Sequence, residues 1–158
     1  MALRERVYNL HLEPCGYVYR QLLAFLSSRA QSAILVVREE SRLEESGRAV
    51  LNDLRPQLIR EEARGAWPGT QLLRHTATVY TYSVSQSAID TLSKAVEGLY
   101  SWVEPAYPQD LCFLRTSGTP TLTTIAHQRL AYLQLTDDEF KVMCAKVPGI
   151  RTGLGSNT

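Results

Sequence analysis

The chain has 158 residues, of which 44% are hydrophobic and 21% are charged, and its formal net charge is +1. This length and composition are typical of one globular domain with a proper core. The near-neutral charge argues against general attraction to nucleic acids or to membrane surfaces, so neither is expected as a partner.

The three cysteines, Cys15, Cys112 and Cys144, are widely spaced, which is not the pattern of a disulfide framework or a zinc site. Free cysteines are typical of a reducing compartment, so a cytoplasmic protein without a metal or other cofactor is expected. The N-terminal residues lack the apolar run of a signal peptide. Nowhere do about 18 apolar residues follow one another, as a membrane-spanning helix would require.

The N-terminal region predicts a β-α-β unit. Residues 6–13 alternate between polar and apolar side chains and predict a strand, and the apolar run at residues 33–37, AILVV, predicts a buried central strand. Between them, apolar residues at helical spacing predict a helix over residues 14–29, with Pro14 in its first turn. Strand, helix and strand in this order indicate the unit.

The next segment predicts a long helix. It begins at the capping-box pattern SRLE of residues 41–44 and could reach Glu62. Pro56 cannot donate a backbone hydrogen bond, so a kink or a break is expected near Arg55. The glycines and proline of residues 65–70, GAWPGT, then predict a loop.

The middle of the chain predicts a loop aromatic, a strand and a helix. Trp67 lies in the GAWPGT loop and either covers the core or contacts a partner. Residues 71–84 alternate and predict a long strand. An amphipathic helix follows, capped by Ser85 or Ser87 and extending to about Val103.

Residues 108–136 predict a three-stranded antiparallel meander, since three β-rich runs are separated by turn signals. The runs cover residues 111–115, 119–127 and 130–135. If both turns contain two residues, Phe113 opposes Leu122 and Thr124 opposes Leu133. One face of the meander is then nearly all apolar and the other is mostly polar.

The polar face of the meander contains most of the candidate site residues. They are Asp110, Cys112, Thr121, Thr123, His127 and Tyr132. This face is either a solvated sheet surface or a binding or catalytic surface around His127.

The C-terminal region predicts a last helix and a tail. Residues 136–139, TDDE, form a second capping-box pattern, and Pro148 ends the helix. Residues 151–158 are polar and rich in glycine and predict a flexible tail. The predicted fold is one α+β domain over residues 1–150, with a mixed sheet, an N-terminal β-α-β unit, a C-terminal three-stranded antiparallel meander and helices packed on one face.

One functional hypothesis is a small hydrolase or transferase that uses His127 with Asp110 or Cys112, since a catalytic nucleophile needs a base within hydrogen-bond reach. In the meander register, however, Cys112 opposes Thr123 and lies about four residues, or roughly 13 Å, from His127 along the strands. A metal site would need the three histidines to converge, and none is predicted.

Three short pieces of the chain resemble a pattern found in small uncharacterised bacterial proteins. They are YPQDLCF at residues 107–113, TIAH at residues 124–127 and LTDDE at residues 135–139. Proteins with a PEDLCF strand, a TIAH strand and an LTxxE helix start resemble immunity or accessory proteins encoded beside secreted toxins. Gln109 stands where this pattern has an acidic residue. The resemblance implies an interaction protein rather than an enzyme, and it carries over no catalytic residue.

The leading hypothesis is a non-enzymatic bacterial protein-binding module, and in its narrower form an immunity-type inhibitor of a toxin. Polar and aromatic side chains of the meander and the preceding loop would contact the partner. The predicted contact residues are Asp110, Thr121, Thr123, His127, Tyr132 and Trp67. The alternatives are the small hydrolase or transferase and a self-associating structural subunit whose homodimer seam is the polar face.

Overall fold

The computed structural model describes residues 3–155, which form helices and a large antiparallel sheet, so the predicted α+β class is confirmed. The strands are β1 (Glu5–Leu10), β2 (Ser32–Arg38), β3 (Leu58–Arg64), β4 (Ala66–Trp67), β5 (Thr70–Gln71), β6 (Ala77–Ser83), β7 (Gln109–Leu114), β8 (Pro120–Ile125), β9 (Leu130–Thr136) and β10 (Thr152–Leu154). The α-helices are α1 (Tyr17–Ser27), α2 (Glu45–Leu54), α3 (Gln86–Ala95) and α4 (Asp137–Lys146). Short 3-10 turns lie at Arg55–Gln57, Leu99–Ser101 and Ala126–Gln128.

Within residues 3–155, the main sheet has eight strands in the order β10-β1-β9-β8-β7-β2-β6-β3. Its neighbouring strands pair antiparallel, so the sheet is antiparallel rather than mixed. β1 and β2 run in the same direction, but β9, β8 and β7 lie between them. The N-terminal strand-helix-strand unit therefore spans the middle of the sheet instead of forming a neighbouring parallel pair.

The helices pack on one face of this sheet, as predicted. Leu22 and Leu26 of α1, Leu92 of α3 and Met143 of α4 are fully buried against apolar side chains of the strands. β2 lies near the centre, where its continuous apolar run is buried on both faces. This burial explains why the run does not alternate between apolar and polar residues.

Two aromatic residues place polar groups inside the helix-side core and satisfy them there. The indole nitrogen Nε1 of Trp102 donates a hydrogen bond to the hydroxyl oxygen of Tyr19 at 2.9 Å. The same hydroxyl donates to the backbone carbonyl of Leu92 at 2.7 Å. Because both donors have partners, burying these rings does not incur the cost of an unpaired polar group.

The break expected near Arg55 is confirmed, but the helical continuation to Glu62 and the capping box at residues 41–44 are wrong. α2 begins at Glu45 and ends at Leu54, and the chain passes through a 3-10 turn that contains Pro56. It then forms strand β3, which pairs with β6 along one edge of the sheet. The charged residues of β3 favour a helix locally, but an exposed edge strand tolerates charged side chains equally well. Pairing with β6 therefore decides that this segment forms a strand.

Other boundaries are shorter than predicted. α1 is confined to Tyr17–Ser27, and the strand predicted at residues 71–84 is reduced to β6. α3 ends at Ala95, before the predicted Val103. Ser85 is its cap, because its Oγ accepts a hydrogen bond from the N–H of Ala88 at 3.2 Å.

β7, β8 and β9 are consecutive antiparallel neighbours. Phe113 opposes Leu122 as predicted. Leu133 opposes Leu122 rather than Thr124, because residues 126–129 form a four-residue turn where two residues were predicted. The register differs by two residues, an even number, so side chains within β8 and β9 keep their predicted faces, whereas His127 lies in the turn rather than in a strand.

The C-terminal residues do not form a free tail from residue 151 onwards. Thr152–Leu154 pair with β1 as the strand β10, and Gly155 donates a backbone hydrogen bond to the carbonyl of Val7 at 2.7 Å. Residues 156–158 of the predicted tail lie outside the described residues.

α4 begins at the predicted capping box, and an arginine from the strand layer reinforces it. Thr136 and Glu139 exchange the two capping hydrogen bonds, with lengths of 2.9 and 3.2 Å. Arg115 holds the Glu139 carboxylate with two nitrogens, at 2.7 and 3.0 Å, and its Nε lies 3.1 Å from a Glu5 carboxylate oxygen. Burial alone would raise the pKa of Glu139, but the hydrogen bonds from Arg115 and Thr136 outweigh it and lower the pKa from 4.5.

This lowered pKa predicts a pH dependence of stability. The stabilisation from ionised Glu139 is fully present above its unfolded pKa and is lost as the pH falls through the lower folded pKa. We expect the free energy of unfolding to decrease below about pH 4.5, and Glu139→Gln to flatten that decrease. Urea unfolding over a series of acidic buffers measures both. Glu45→Gln, at an exposed carboxylate in α2, is the matched control, and an equal flattening by both variants would contradict the assignment.

Candidate functional site

A short hairpin covers the centre of the sheet face opposite the helices, and we call this face the hairpin face. β4 and β5 form the hairpin. Its Trp67 is buried against Ile34 and Val36 of β2 and Val79 of β6. Trp67 therefore covers a second apolar core, which is one of the two roles that the sequence left open.

The hairpin crosses the sheet from the β3 edge as far as β8. Gly69 at its tip has φ +84, and a Cβ atom there would lie 2.9 Å from side-chain carbons of Thr123 and Ile125. Only glycine fits a site that combines a positive φ with so close an approach. The tip therefore rests on β8, and β9 and β1 lie beyond it.

The side chain of Asp110 fixes this hairpin. Asp110 is 0% exposed and has φ 60. It lies in a β-bulge, where three residues of β7 span the length of two residues of β2. One carboxylate oxygen, Oδ2, accepts hydrogen bonds from Trp67 Nε1 at 2.9 Å and from Gln109 Nε2 at 3.2 Å. The other oxygen, Oδ1, accepts from the N–H of Ala126 at 2.9 Å. One carboxylate thus joins β7, the hairpin and the β8–β9 turn.

Four of the six predicted contact residues are buried, so the expectation of an open polar face is wrong for them. Thr123 lies under the hairpin tip, and Asp110 accepts a hydrogen bond from the hairpin's Trp67, which is itself packed against the sheet. These three are covered because the segment predicted as a plain loop folds back over the sheet. Thr121 is also buried, and its hydroxyl donates to the carbonyl of Phe113 at 3.2 Å. A partner cannot reach these side chains in this structure.

The other two predicted contact residues remain accessible. His127 is exposed in the turn between β8 and β9, and Tyr132 is partly exposed on β9. Arg129 ends the same turn with φ 54; its guanidinium lies 5.2 Å from the Tyr100 ring centroid and 3.5 Å from a Glu13 carboxylate oxygen. These contacts hold the turn that carries His127.

The residues of the hypothetical catalytic group do not meet in a cleft. Cys112 is fully buried, its thiol donates to the backbone carbonyl of Asp110 at 3.3 Å, and burial raises its pKa to about 12. Both carboxylate oxygens of Asp110 already accept hydrogen bonds, whereas His127 is exposed at the end of the sheet. A protonated, buried thiol is not a nucleophile, and the structure gives Asp110 a structural role.

Sequence reasoning missed the apolar part of the accessible surface. Tyr132 is opposed by Thr123 of β8 on one side and by Asn9 of β1 on the other, and Leu130 is opposed by Ile125. We call this region the β9 surface. It consists of Val7, Asn9, Ile125, Leu130, Tyr132 and Gln134. Their shared face follows from the alternation of side chains along β9 and its two neighbours, which could have identified them once the strand order was known.

Residues 3–155 contain neither a group of three His, Cys, Asp or Glu side chains placed to hold a metal ion nor a helix long and apolar enough to cross a membrane. No family model, no curated protein and no solved structure matches this chain.

The Asp110 bonds predict a large effect on stability. Asp110→Ala would leave the N–H of Ala126, the indole N–H of Trp67 and the amide of Gln109 buried without an acceptor, at about 1 kcal/mol or more each. We expect a loss of about 3 kcal/mol in the free energy of unfolding. Urea unfolding measures this loss, and Asp53→Ala, at an exposed position of α2, is the control. A loss no larger than in the control would show that the carboxylate does not anchor the hairpin.

Burial of Cys112 predicts selective thiol reactivity. Cys15 and Cys144 are exposed, whereas Cys112 is buried. A disulfide reagent at about pH 8 should therefore modify two thiols quickly and the third only on unfolding, because the reagent requires an accessible thiolate. Counting modified cysteines by mass spectrometry tests this expectation. Rapid modification of Cys112 in the folded protein would reopen the catalytic hypothesis.

Proposed function

We propose that the protein is a non-enzymatic protein-binding module and that the β9 surface is its contact site. The observation that carries the proposal is the exposure of large side chains at and beyond the hairpin tip. Leu130 is 50% exposed, and Val7, Ile125 and Tyr132 are partly exposed.

The composition of the β9 surface fits a protein partner. It combines one tyrosine and three aliphatic side chains with the polar Asn9 and Gln134, and Asn9 directly opposes Tyr132. Tyrosine is a common anchor of protein interfaces, because it buries a large ring at a small entropic cost and can also form a hydrogen bond. A mixture of apolar and polar side chains is usual in such contacts.

The surroundings of the β9 surface favour binding without rearrangement. Regular backbone pairing holds the strands on both sides of Tyr132. The hairpin tip, pinned through Trp67 to Asp110, forms one border. A surface that is rigid before binding loses little conformational freedom on binding.

Because the short sequence pattern resembles that of immunity-like proteins, a toxin is the first partner class to test. In that form of the proposal, the protein inhibits the toxin by covering part of it with the β9 surface. Inhibition should then require one bound copy per toxin molecule and no turnover.

Tyr132 provides the most direct test of the site. A photoreactive benzoylphenylalanine at position 132 should cross-link a partner protein in cells of the source organism. The same amino acid at position 17 is the control, since Tyr17 is 65% exposed on α1, away from the β9 surface. With the cross-linked partner purified, Tyr132→Ala should weaken binding by about 2 kcal/mol, or roughly 30-fold, and Tyr17→Ala should not.

Two outcomes would contradict the proposal. Equal cross-linking from positions 132 and 17 would mean that the β9 surface is not the site. Cross-linking of position 132 only to another copy of this chain would make the surface a homodimer seam and would support the structural-subunit alternative.

A further inference from the structure

The outer edge of β3 is a second accessible surface, separate from the β9 surface. β3 pairs with β6 on one side, and it is the last strand of the main sheet among the described residues. Along such an edge, alternate residues direct their backbone N–H and C=O groups outwards, where another strand can pair with them. The edge ends at Gly65, whose carbonyl accepts a hydrogen bond from the N–H of Leu72 at 2.8 Å as the chain enters the hairpin.

The charges along this edge alternate in sign. Arg60, Glu62 and Arg64 oppose Thr81, Val79 and Ala77 of β6, so the three charged side chains share the hairpin face. All three are exposed. A row of like charges would repel a second copy of itself, whereas an alternating row has an antiparallel register in which opposite charges meet.

That register can be identified by pairing two copies of β3 about a two-fold axis at Ala63. Glu62 of each copy then opposes Arg64 of the other, and Glu61 opposes Gly65. If the axis is placed at Glu62 instead, Glu62 opposes itself and Arg60 opposes Arg64, so like charges face one another. Directly opposed like charges destabilise a strand pair, and an axis at any charged residue of β3 sets that residue against its own copy. Among residues 60–64, only Ala63 is uncharged, so the charges favour the register centred on it.

Two exposed apolar side chains lie at opposite ends of the edge. Ile59, at the start of β3, is 51% exposed, and Leu73 is 95% exposed. The Leu72–Gly65 hydrogen bond places Leu73 beside the end of β3. In an antiparallel pair, the start of one strand lies beside the end of the other. Ile59 of each copy therefore lies near Leu73 of the other copy, and the dimer can bury both side chains away from water.

We propose that the chain forms a homodimer through antiparallel pairing of two β3 edges centred on Ala63. The occupant of each edge is a second copy of this chain, since alternating charge and apolar end residues both match the strand to itself. The dimer continues one sheet into the other and leaves both β9 surfaces accessible.

A charge-swap series tests the pairing by sedimentation equilibrium. Glu62→Arg places arginines opposite each other at both charge contacts, so we expect the dimer dissociation constant to rise roughly tenfold. The double variant Glu62→Arg/Arg64→Glu restores opposite charges and should recover dimerisation to within about threefold of the wild type. Glu40→Arg, at an exposed position outside the sheet, makes the same charge change and should have no effect.

A second variant separates dimerisation from folding. Leu73→Ser removes a side chain that is almost fully exposed in the monomer, so the monomer should keep its stability while the dimer weakens. Leu154→Ser, at a 64% exposed leucine on the opposite edge strand β10, is the matched control. Equal dimerisation of the two serine variants would contradict the apolar contact.

Cysteine cross-linking tests the register in a background that carries Cys15→Ser and Cys144→Ser. Ala63→Cys should form a disulfide-linked dimer, because residue 63 opposes itself, whereas Glu62→Cys should not. Cross-linking of Glu62→Cys alone would overturn the register. Monomeric sedimentation of the wild type at every concentration, together with no cross-link from Ala63→Cys, would overturn the dimer.

Discussion

The hydrogen bonds to the Asp110 carboxylate hold together parts of the chain that local structure alone would leave independent. They connect the bulged strand β7 with the hairpin indole of Trp67 and with the turn at Ala126. Burying a carboxylate at a residue with positive φ is unfavourable, and its hydrogen-bond donors compensate for this. The carboxylate thereby determines which strands the hairpin covers and which remain accessible to a partner.

Sequence patterns predicted the features that depend on neighbouring residues. The apolar run of β2, the capping box at Thr136 and the two faces of the meander follow from periodicity and short-range hydrogen bonds. The features that sequence missed depend on distant pairing. The charged residues of β3 favour a helix until β6 is beside them, and the GAWPGT segment resembles a loop until Trp67 finds Asp110.

The candidate site was predictable to a similar extent. Alternation placed His127 and Tyr132 on one face, and both are accessible. It also placed Asp110, Thr121 and Thr123 there, and all three are buried, because alternation assigns a face but does not show what covers it.

The proposed surfaces lie in different parts of the sheet. A dimer formed through β3 would present two β9 surfaces to one partner assembly and would gain avidity if both could engage.

Hydrogen exchange at the two tryptophan indoles tests most directly whether the Asp110-anchored hairpin limits the accessible surface. The Trp102 indole is an internal reference, because it is fully buried and donates to Tyr19 on the helix side. We expect NMR to show slow exchange for both indole protons. Slow exchange at Trp67 would mean that the hairpin opens only when the protein unfolds. Fast exchange at Trp67 with slow exchange at Trp102 would show that the hairpin lifts on its own. The rest of the hairpin face would then also be accessible to partners, which would contradict the claim that the anchored hairpin confines the contact site to the β9 surface.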